Sequence, residues 1–207
     1  MNEITQILPQ VKDKKRCSVY IDGRFCCGLT LETAVKNRLK VGTIVSPEQL
    51  AQMQLESEKN VAFDKALNFL SATKKTEKQL SVYLSGKGYL PAVIEYVLEK
   101  LRGYDFVNDQ EYANDYVGFA AKRKGERLIA MELKAKGVSQ EQIDLAMGNL
   151  DENAQADAAK VILEKYMRHK PCDKETLYKA FRYLLQKGFS VDVAKAAVAA
   201  LGSVDDE

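Results

Sequence analysis

From residue 47 onward, apolar residues recur at helical spacing. Leu50, Met53, Ala62, Ala66, Phe69 and Leu70 set the pattern and charged residues fill the intervening positions, which predicts amphipathic helices and no strand. The preceding segment reads differently. Val19, Tyr20, Ile21, Phe25 and Cys27 flank Asp22-Gly23, a dipeptide suited to the positive-φ positions of a tight turn, so residues 17–29 predict a small β-hairpin. A two-residue type I′ loop would pair Ile21 with Arg24. A three-residue loop with Gly23 left-handed would pair Val19 with Phe25 and Cys17 with Cys27, and it gives the better apolar face. Thr30 then caps a short helix to about Leu39, Gly42 stops it, and residues 43–45 can return as a third strand. Ser46-Pro47-Glu48-Gln49 opens the next helix.

The helical part repeats. Placing Lys87-Gly88, Lys136-Gly137 and Lys187-Gly188 in register gives steps of 49 and 51 residues between glycines. A leucine stands four positions before each glycine (Leu84, Leu133, Leu184), and Tyr89, Val138 or Phe189 follows it. Ile94 and Leu98, Ile143 and Met147, and Ala194 and Val198 mark one stripe of a following helix, which reaches Leu101, Leu150 or Leu201. Another apolar helix opens each unit upstream, through Phe69, Tyr116 and Ile162 among others. Each repeat is therefore three helices, with the glycine ending the second in the left-handed conformation and the next apolar residue packing back over the turn. The expected fold is mainly α: an elongated array of three tandem three-helix repeats, preceded by a small N-terminal region that contains the β-hairpin. The boundaries fall at residues 1–59 for that region and 60–107, 108–152 and 153–207 for the repeats, the last with a short acidic tail, Asp205-Asp206-Glu207.

Composition narrows the function classes. With 207 residues of which 46% are hydrophobic, the chain can build a core, which excludes disorder throughout. Bulk charge does not mark a nucleic-acid binder, because 31 Lys and Arg face 29 Asp and Glu, a net charge of +2. Positive charge is local, with eight Lys or Arg against four Asp or Glu in residues 1–45. The longest apolar run, residues 196–201, falls far short of the roughly 20 residues that span a bilayer. Residues 1–9 lack the pattern of a signal peptide, so a cytoplasmic location with no membrane partner is expected. Cys17, Cys26, Cys27 and Cys172 show no CxxC spacing beside a single histidine. Reduced, structural thiols and no metal are therefore expected.

No HExxH, GxSxG, phosphate-loop or dinucleotide motif is present, so neither catalysis nor a cofactor is expected. Gly86-Lys87-Gly88 imitates a phosphate loop, but the same Lys-Gly recurs without Gly86, as a helix end does. His169, between Arg168 and Lys170, reads as a solvated residue. Tyr83, Tyr96, Tyr112 and Tyr116 read as core or half-core residues. One constellation does recur: the junction between helix one and helix two is basic in every repeat. Lys74, Lys75 and Lys78 occupy it in the first, Lys122, Arg123, Lys124 and Arg127 in the second, and Arg168, Lys170 and Lys174 in the third. Stacked repeats would line these up along one edge able to track phosphates or an acidic protein groove. The plainer alternative is a solvated face that favours the helix dipole.

The run Val107-Asn108-Asp109, Glu111-Tyr112-Ala113, Lys124-Gly125, Ile129 and Glu132-Leu133-Lys134-Ala135-Lys136-Gly137-Val138 resembles the RecX family of RecA regulators. In that family a middle repeat reads as a small-apolar and acidic turn, an aromatic-Ala helix, a basic stretch ending in Gly, then Ile, Glu-Leu and Lys-Gly. The resemblance extends through Leu80, Leu84, Lys87-Gly88 and Ile94 in the first repeat and Leu184, Lys187-Gly188 and Phe189 in the third, roughly residues 60–201. The hairpin region is similar to an N-terminal extension carried by some members. One departure is Ala72-Thr73-Lys74-Lys75-Thr76-Glu77, where the family often has an arginine-rich stretch ending in Ser and Glu; lysine cannot present the planar guanidinium fork.

The resemblance implies a non-catalytic modulator that binds RecA, especially its filament on single-stranded DNA, and dampens its ATP hydrolysis, strand exchange and co-protease activities. Weak direct DNA binding and a monomeric state accompany that expectation. Two readings compete. A helix-turn-helix DNA-binding protein would use helix two, the glycine turn and helix three, but residues 140–149 and 190–199 carry no Arg or Lys besides Lys195 to read base edges. A general helical scaffold for another protein is the other.

Overall fold

The computed structural model describes residues 2–11, 13–148 and 150–202; the acidic tail Asp205-Asp206-Glu207 lies outside them. The chain divides into two compact units, Met1–Lys74 with Leu80–Val107, and Lys75–Gln79 with Asn108–Glu207.

Unit one opens with an antiparallel sheet in the order β1 (Ile4–Pro9), β2 (Arg16–Ile21), β3 (Arg24–Thr30). Ile21 pairs with Arg24, and Asp22 and Gly23 take φ of 47° and 78°. This two-residue turn matches the twist of the flanking strands. An irregularity beside Val19 then shifts the register so that Val19 faces Cys27 and Cys17 faces Leu29. The pairing of Val19 with Phe25 and Cys17 with Cys27 therefore does not form. Phe25 instead pairs with Tyr20, meets its ring edge-on and stays exposed. The bulge thus puts all four apolar side chains on one buried face without a longer loop.

Residues 43–45 do not supply the third strand. β1 takes that place along β2, and Ile44 makes only an isolated bridge to Glu3. α1 (Leu31–Lys36) is capped by the Thr30 hydroxyl, which accepts the Thr33 N–H at 3.2 Å. It ends before Leu39, at Asn37 and a left-handed Arg38, and Gly42 plays another part: at φ 88° it aims its N–H at the Ile4 carbonyl, 2.8 Å away. α2 (Pro47–Leu70) starts at the expected Ser46–Gln49 capping box. It serves two cores. Met53 packs with Val19 and Leu29 of the sheet, while Ala62 and Ala66 pack with Leu80, Leu84 and Val97. The buried Ser57 hydroxyl accepts the Thr30 N–H at 2.8 Å, tying the end of β3 to α2.

α3 (Glu77–Gly86) and α4 (Pro91–Gly103) complete the first repeat, and the first turn of α3 belongs to unit two by its contacts. Unit two then holds α5 (Asp109–Ala120), α6 (Glu126–Ala135), α7 (Gln140–Met147), α8 (Glu152–Met167), α9 (Lys174–Gln186) and α10 (Val191–Gly202). In each repeat the first helix packs on the third: α2 on α4, α5 on α7, α8 on α10. Leu84, Leu133 and Leu184 are fully buried. The Lys-Gly turns behave as the sequence predicts. Gly88, Gly137 and Gly188 have φ of 86°, 94° and 89°. The N–H groups of Tyr89, Val138 and Phe189 return to the carbonyls of Leu84, Leu133 and Leu184 at 3.3, 3.2 and 3.2 Å, which closes the helix end and turns the apolar residue inward.

Two of these turns are covered by the start of another repeat's second helix. The Thr76 hydroxyl donates to the Lys136 carbonyl at 2.6 Å, and a Cβ on Gly137 would fall 2.3 Å from the Lys78 Cβ. Gly125 and Arg127 donate backbone N–H groups to the carbonyls of Lys187 and Gly188 at 2.9 and 3.1 Å. The first N–H groups of a helix have no partner within it, and at α6 the neighbouring turn supplies the acceptors. Gly125 has an ordinary φ of −79°, but a Cβ there would lie 2.1 Å from the Phe189 nitrogen. Its missing side chain therefore serves close approach. At Gly88 nothing lies within 4 Å of an added Cβ. α9 closes the series with its own cap, the Asp173 carboxylate accepting the Thr176 N–H at 2.7 Å, an altered terminal unit of the kind repeat proteins need.

The two kinds of turn should separate on substitution. Gly88→Ala is expected to cost only the left-handed strain, about 1–2 kcal/mol. Gly188→Ala adds a collision with the Leu128 Cβ at 2.4 Å and should cost at least about 1 kcal/mol more. Urea unfolding followed by circular dichroism reads the difference, and equal losses would contradict the coverage of the Gly188 turn.

Candidate partner-binding surface

The cations at the three helix junctions meet different surroundings. In the first, Lys74 is exposed and Lys75 half-buried ahead of α3. Lys78, in the first turn of α3, lays its stem on Gly137 and points its ammonium at the Ala135 carbonyl, 3.3 Å away. In the second, Lys122, Arg123 and Arg127 are exposed, and the Arg123 guanidinium sits 5.5 Å from the centroid of the Phe119 ring. The buried Gln155 of α8 fixes this turn by donating to the carbonyls of Ala121 and Lys124 at 3.2 and 3.4 Å.

Lys124 faces inward. Its ammonium lies 2.6 Å from both carboxylate oxygens of Glu132, and Oε2 also accepts the Tyr116 hydroxyl. The Lys124 and Glu132 side chains are 32% and 28% exposed, so water screens the pair only in part. Burial pushes the Glu132 carboxyl up, but the Lys124 ammonium and the Tyr116 hydroxyl together hold it below its ordinary value. The same hydrogen bond to Glu132 raises Lys124.

In the third junction, Arg168 caps the C-terminus of α8, and Lys174 begins α9, exposed. The Lys170 ammonium lies 3.1 Å from the centroid of Tyr166. Arg123, Arg168 and Lys170 come together in one open cleft of about 510 Å³, joined by Lys165, Lys187, Tyr166 and Tyr183, none of which the sequence marks as a site residue. A signal for two of them was present. Tyr183 and Lys187 stand four apart at the end of α9 as Tyr83 and Lys87 do at the end of α3, and the ammonium lies 5.3 and 5.5 Å from the ring centroid. At the aligned place the middle repeat has Glu132. Lys74, Lys75, Lys78, Lys122, Lys124, Arg127 and Lys174 do not line this cleft.

The remaining candidates are quiet. Tyr83, Tyr96, Tyr112 and Tyr116 are half-buried, as expected, and His169 is exposed. All four cysteines are free thiols, and burial, with Cys26 beside it, pushes the Cys27 thiol up to about 11. Among the described residues no Cys, His, Asp and Glu group is placed to hold a metal, and no helix is long and apolar enough to cross a membrane.

Three tandem three-helix units led by an antiparallel sheet, with basic turns between first and second helices, define a helical-repeat protein whose candidate chemistry lies on its surface. Comparison with known proteins assigns the family. The model of the regulatory protein RecX N-terminal domain matches residues 2–46, and those of the RecX first, second and third three-helix domains match residues 62–101, 108–147 and 153–198. Regulatory protein RecX of Bacillus licheniformis is 31% identical over 96% of this chain and 77% of its own length. That of Clostridium beijerinckii is 29% identical over 99% of this chain and 98% of its own. A crystal structure of regulatory protein RecX superposes with a TM-score of 0.73 at 28% identity, covering 94% of this chain and 98% of that one. The chain belongs to the RecX family of regulatory proteins.

The inward-facing pair makes a pH prediction. Because Glu132 is lowered on folding, its contribution to stability is present above its unfolded value, near pH 4.5, and is lost as pH falls through the folded value. Glu132→Gln should therefore be less stable than the unmodified chain at pH 7, by about 1 kcal/mol. The gap should narrow toward pH 3. A gap in urea midpoints that stays constant between pH 7 and pH 3 would show that the pair contributes nothing.

Proposed function

We propose that this chain binds the RecA recombinase and its filament on single-stranded DNA and lowers the filament's ATP hydrolysis, strand exchange and co-protease activities, without catalysis of its own. Membership of a family of regulatory proteins supports the reading, and the basic junction that returns in all three repeats carries it to a surface. Repeated modules suit a repeated partner: weak contacts from one chain add through effective concentration when several protomers lie within reach. In this reading the protein acts in the cytoplasm as a monomer, in recombination, DNA repair and the SOS response, with weak binding to DNA itself. Lys74, Lys75, Lys78, Lys122, Arg123, Lys124, Arg127, Arg168, Lys170 and Lys174 belong to the contact surface. Lys78 and Lys124 contribute by shaping the junctions, because their ammonium groups already have partners inside the chain.

The deciding experiment is single-stranded-DNA-dependent ATP hydrolysis by the cognate RecA, titrated with this chain up to equimolar amounts. Suppression at substoichiometric levels is expected, with no hydrolysis by this chain alone. Lys122→Glu combined with Arg127→Glu should weaken filament binding by about tenfold or more at unchanged helicity. An unaltered ATPase rate at every ratio would overturn the reading.

A further inference from the structure

Cations that surround one concavity with no carboxylate among them concentrate positive potential there. Arg123, Lys165, Arg168, Lys170 and Lys187 do so in the cleft formed by α8, α9 and the turn after α5, and no Asp or Glu lines it. None of the five takes part in an ion pair recorded among the described residues. Their charge is thus not cancelled locally, in contrast to that of Lys124.

Two tyrosines hold part of this charge in place. Tyr166 and Tyr183 stack with centroids 4.5 Å apart and planes 21° from parallel. The Lys170 ammonium lies 3.1 Å from the Tyr166 centroid and that of Lys187 lies 5.3 Å from the Tyr183 centroid. A ring face attracts a cation through its quadrupole but carries no net charge, so the lysines are positioned while their full positive charge remains. Ordering them in advance lowers the cost of closing on an anion. The ring spacing leaves no room for an ammonium between the tyrosines, so Lys170 occupies the outer face of Tyr166. With both faces of that ring taken, a nucleobase cannot stack on it as it does on open aromatic platforms.

We propose that this cleft binds the phosphodiester backbone of single-stranded nucleic acid without reading its bases. Five positive charges exceed what one phosphate group, about −2 at most, can neutralise, whereas a strand presents a phosphate at every nucleotide. The two guanidinium groups suit the bidentate geometry of phosphate oxygens. A flexible single strand can bend to bring successive phosphates onto cations gathered in one open cleft of about 510 Å³, whereas a duplex, stiff over roughly 150 base pairs, cannot follow so short a curve. The inference rests on the filament-binding reading for its setting, and adds Lys165 and Lys187 to the surface, but binding to a bare strand is measured separately from any effect on RecA.

The test uses the full chain, fluorescein-labelled oligo(dT) and anisotropy across a salt series. The unmodified chain should bind at low salt, and mixed-sequence strands should bind within about twofold of oligo(dT), as base-blind contacts require. Lys165→Gln with Arg168→Gln, both exposed, should lose about tenfold or more in affinity and lower the salt slope by about 1.4, for two phosphate contacts removed. Lys134→Gln with Lys195→Gln, also exposed, removes the same charge elsewhere and should bind like the unmodified chain. Equal loss in both double variants, no binding of oligo(dT), or a strong base preference would overturn the proposal. So would equal competition by polyglutamate, which would assign the cleft to an acidic protein. Oligo(dT) binding retained with no effect on RecA would leave the cleft standing and remove the filament reading; the reverse result would do the opposite.

Discussion

The architecture depends on a backbone that must pass within van der Waals distance of another backbone. Each second helix ends on a glycine at positive φ, which returns the following apolar residue to the leucine one turn back. The same geometry leaves the carbonyls of the Lys-Gly pair facing outward. At Lys136 and at Lys187-Gly188 those carbonyls accept hydrogen bonds from the start of the preceding repeat's second helix. Units of about fifty residues bury little alone, so neighbour contacts of this kind supply much of the stability of a repeat protein. Here the accepting side is main chain at both turns, and the incoming side differs. Thr76 uses its hydroxyl, whereas Gly125 uses its N–H and the absence of a side chain.

That constraint also explains what could be read in advance. The register of the three repeats was legible because its most demanding residue recurs: only glycine sits easily at φ near 90°, so Lys-Gly returns while the surrounding residues drift. The Ser46 cap was legible because its partners lie within one turn. β1 was not, since along Ile4–Pro9 only Ile4 is fully buried and the apolar alternation that marks a strand is weak. The hairpin pairing failed for a related reason. Both loop lengths satisfy a local rule, and the choice depends on an irregularity near Val19 that pairs Cys17 with Leu29, a partner beyond the range of the turn. Gly125 read as the end of a basic stretch, and its reason lies 64 residues away, at Phe189.

Basic residues at the junctions were visible, but their state was not. Lys124 and Lys170 both lie in the turn ahead of a second helix, yet Lys124 is neutralised by Glu132 and Lys170 rests on Tyr166. A residue on the second helix, four positions before the lysine of the Lys-Gly pair, also differs between the repeats. Tyr83, Glu132 and Tyr183 occupy it in turn. Where it is tyrosine, it stacks on an aromatic residue of the first helix, Phe69 at 4.1 Å or Tyr166 at 4.5 Å between centroids.

At that position a carboxylate neutralises Lys124, whereas a tyrosine leaves Lys87 or Lys187 charged beside its ring. A carboxylate strengthens the fold, because a partly buried ion pair with a third hydrogen-bonding group is screened less than one at the surface, but it removes a cation from the field outside. A tyrosine holds a lysine by the ring quadrupole and by burial of its stem, with no charge cancelled. A chain with a net charge of +2 can in this way keep positive potential in one cleft while an ion pair neutralises a single lysine elsewhere. Total charge says little about such a molecule's partners, whereas the placement of ring or carboxylate beneath each lysine says much more.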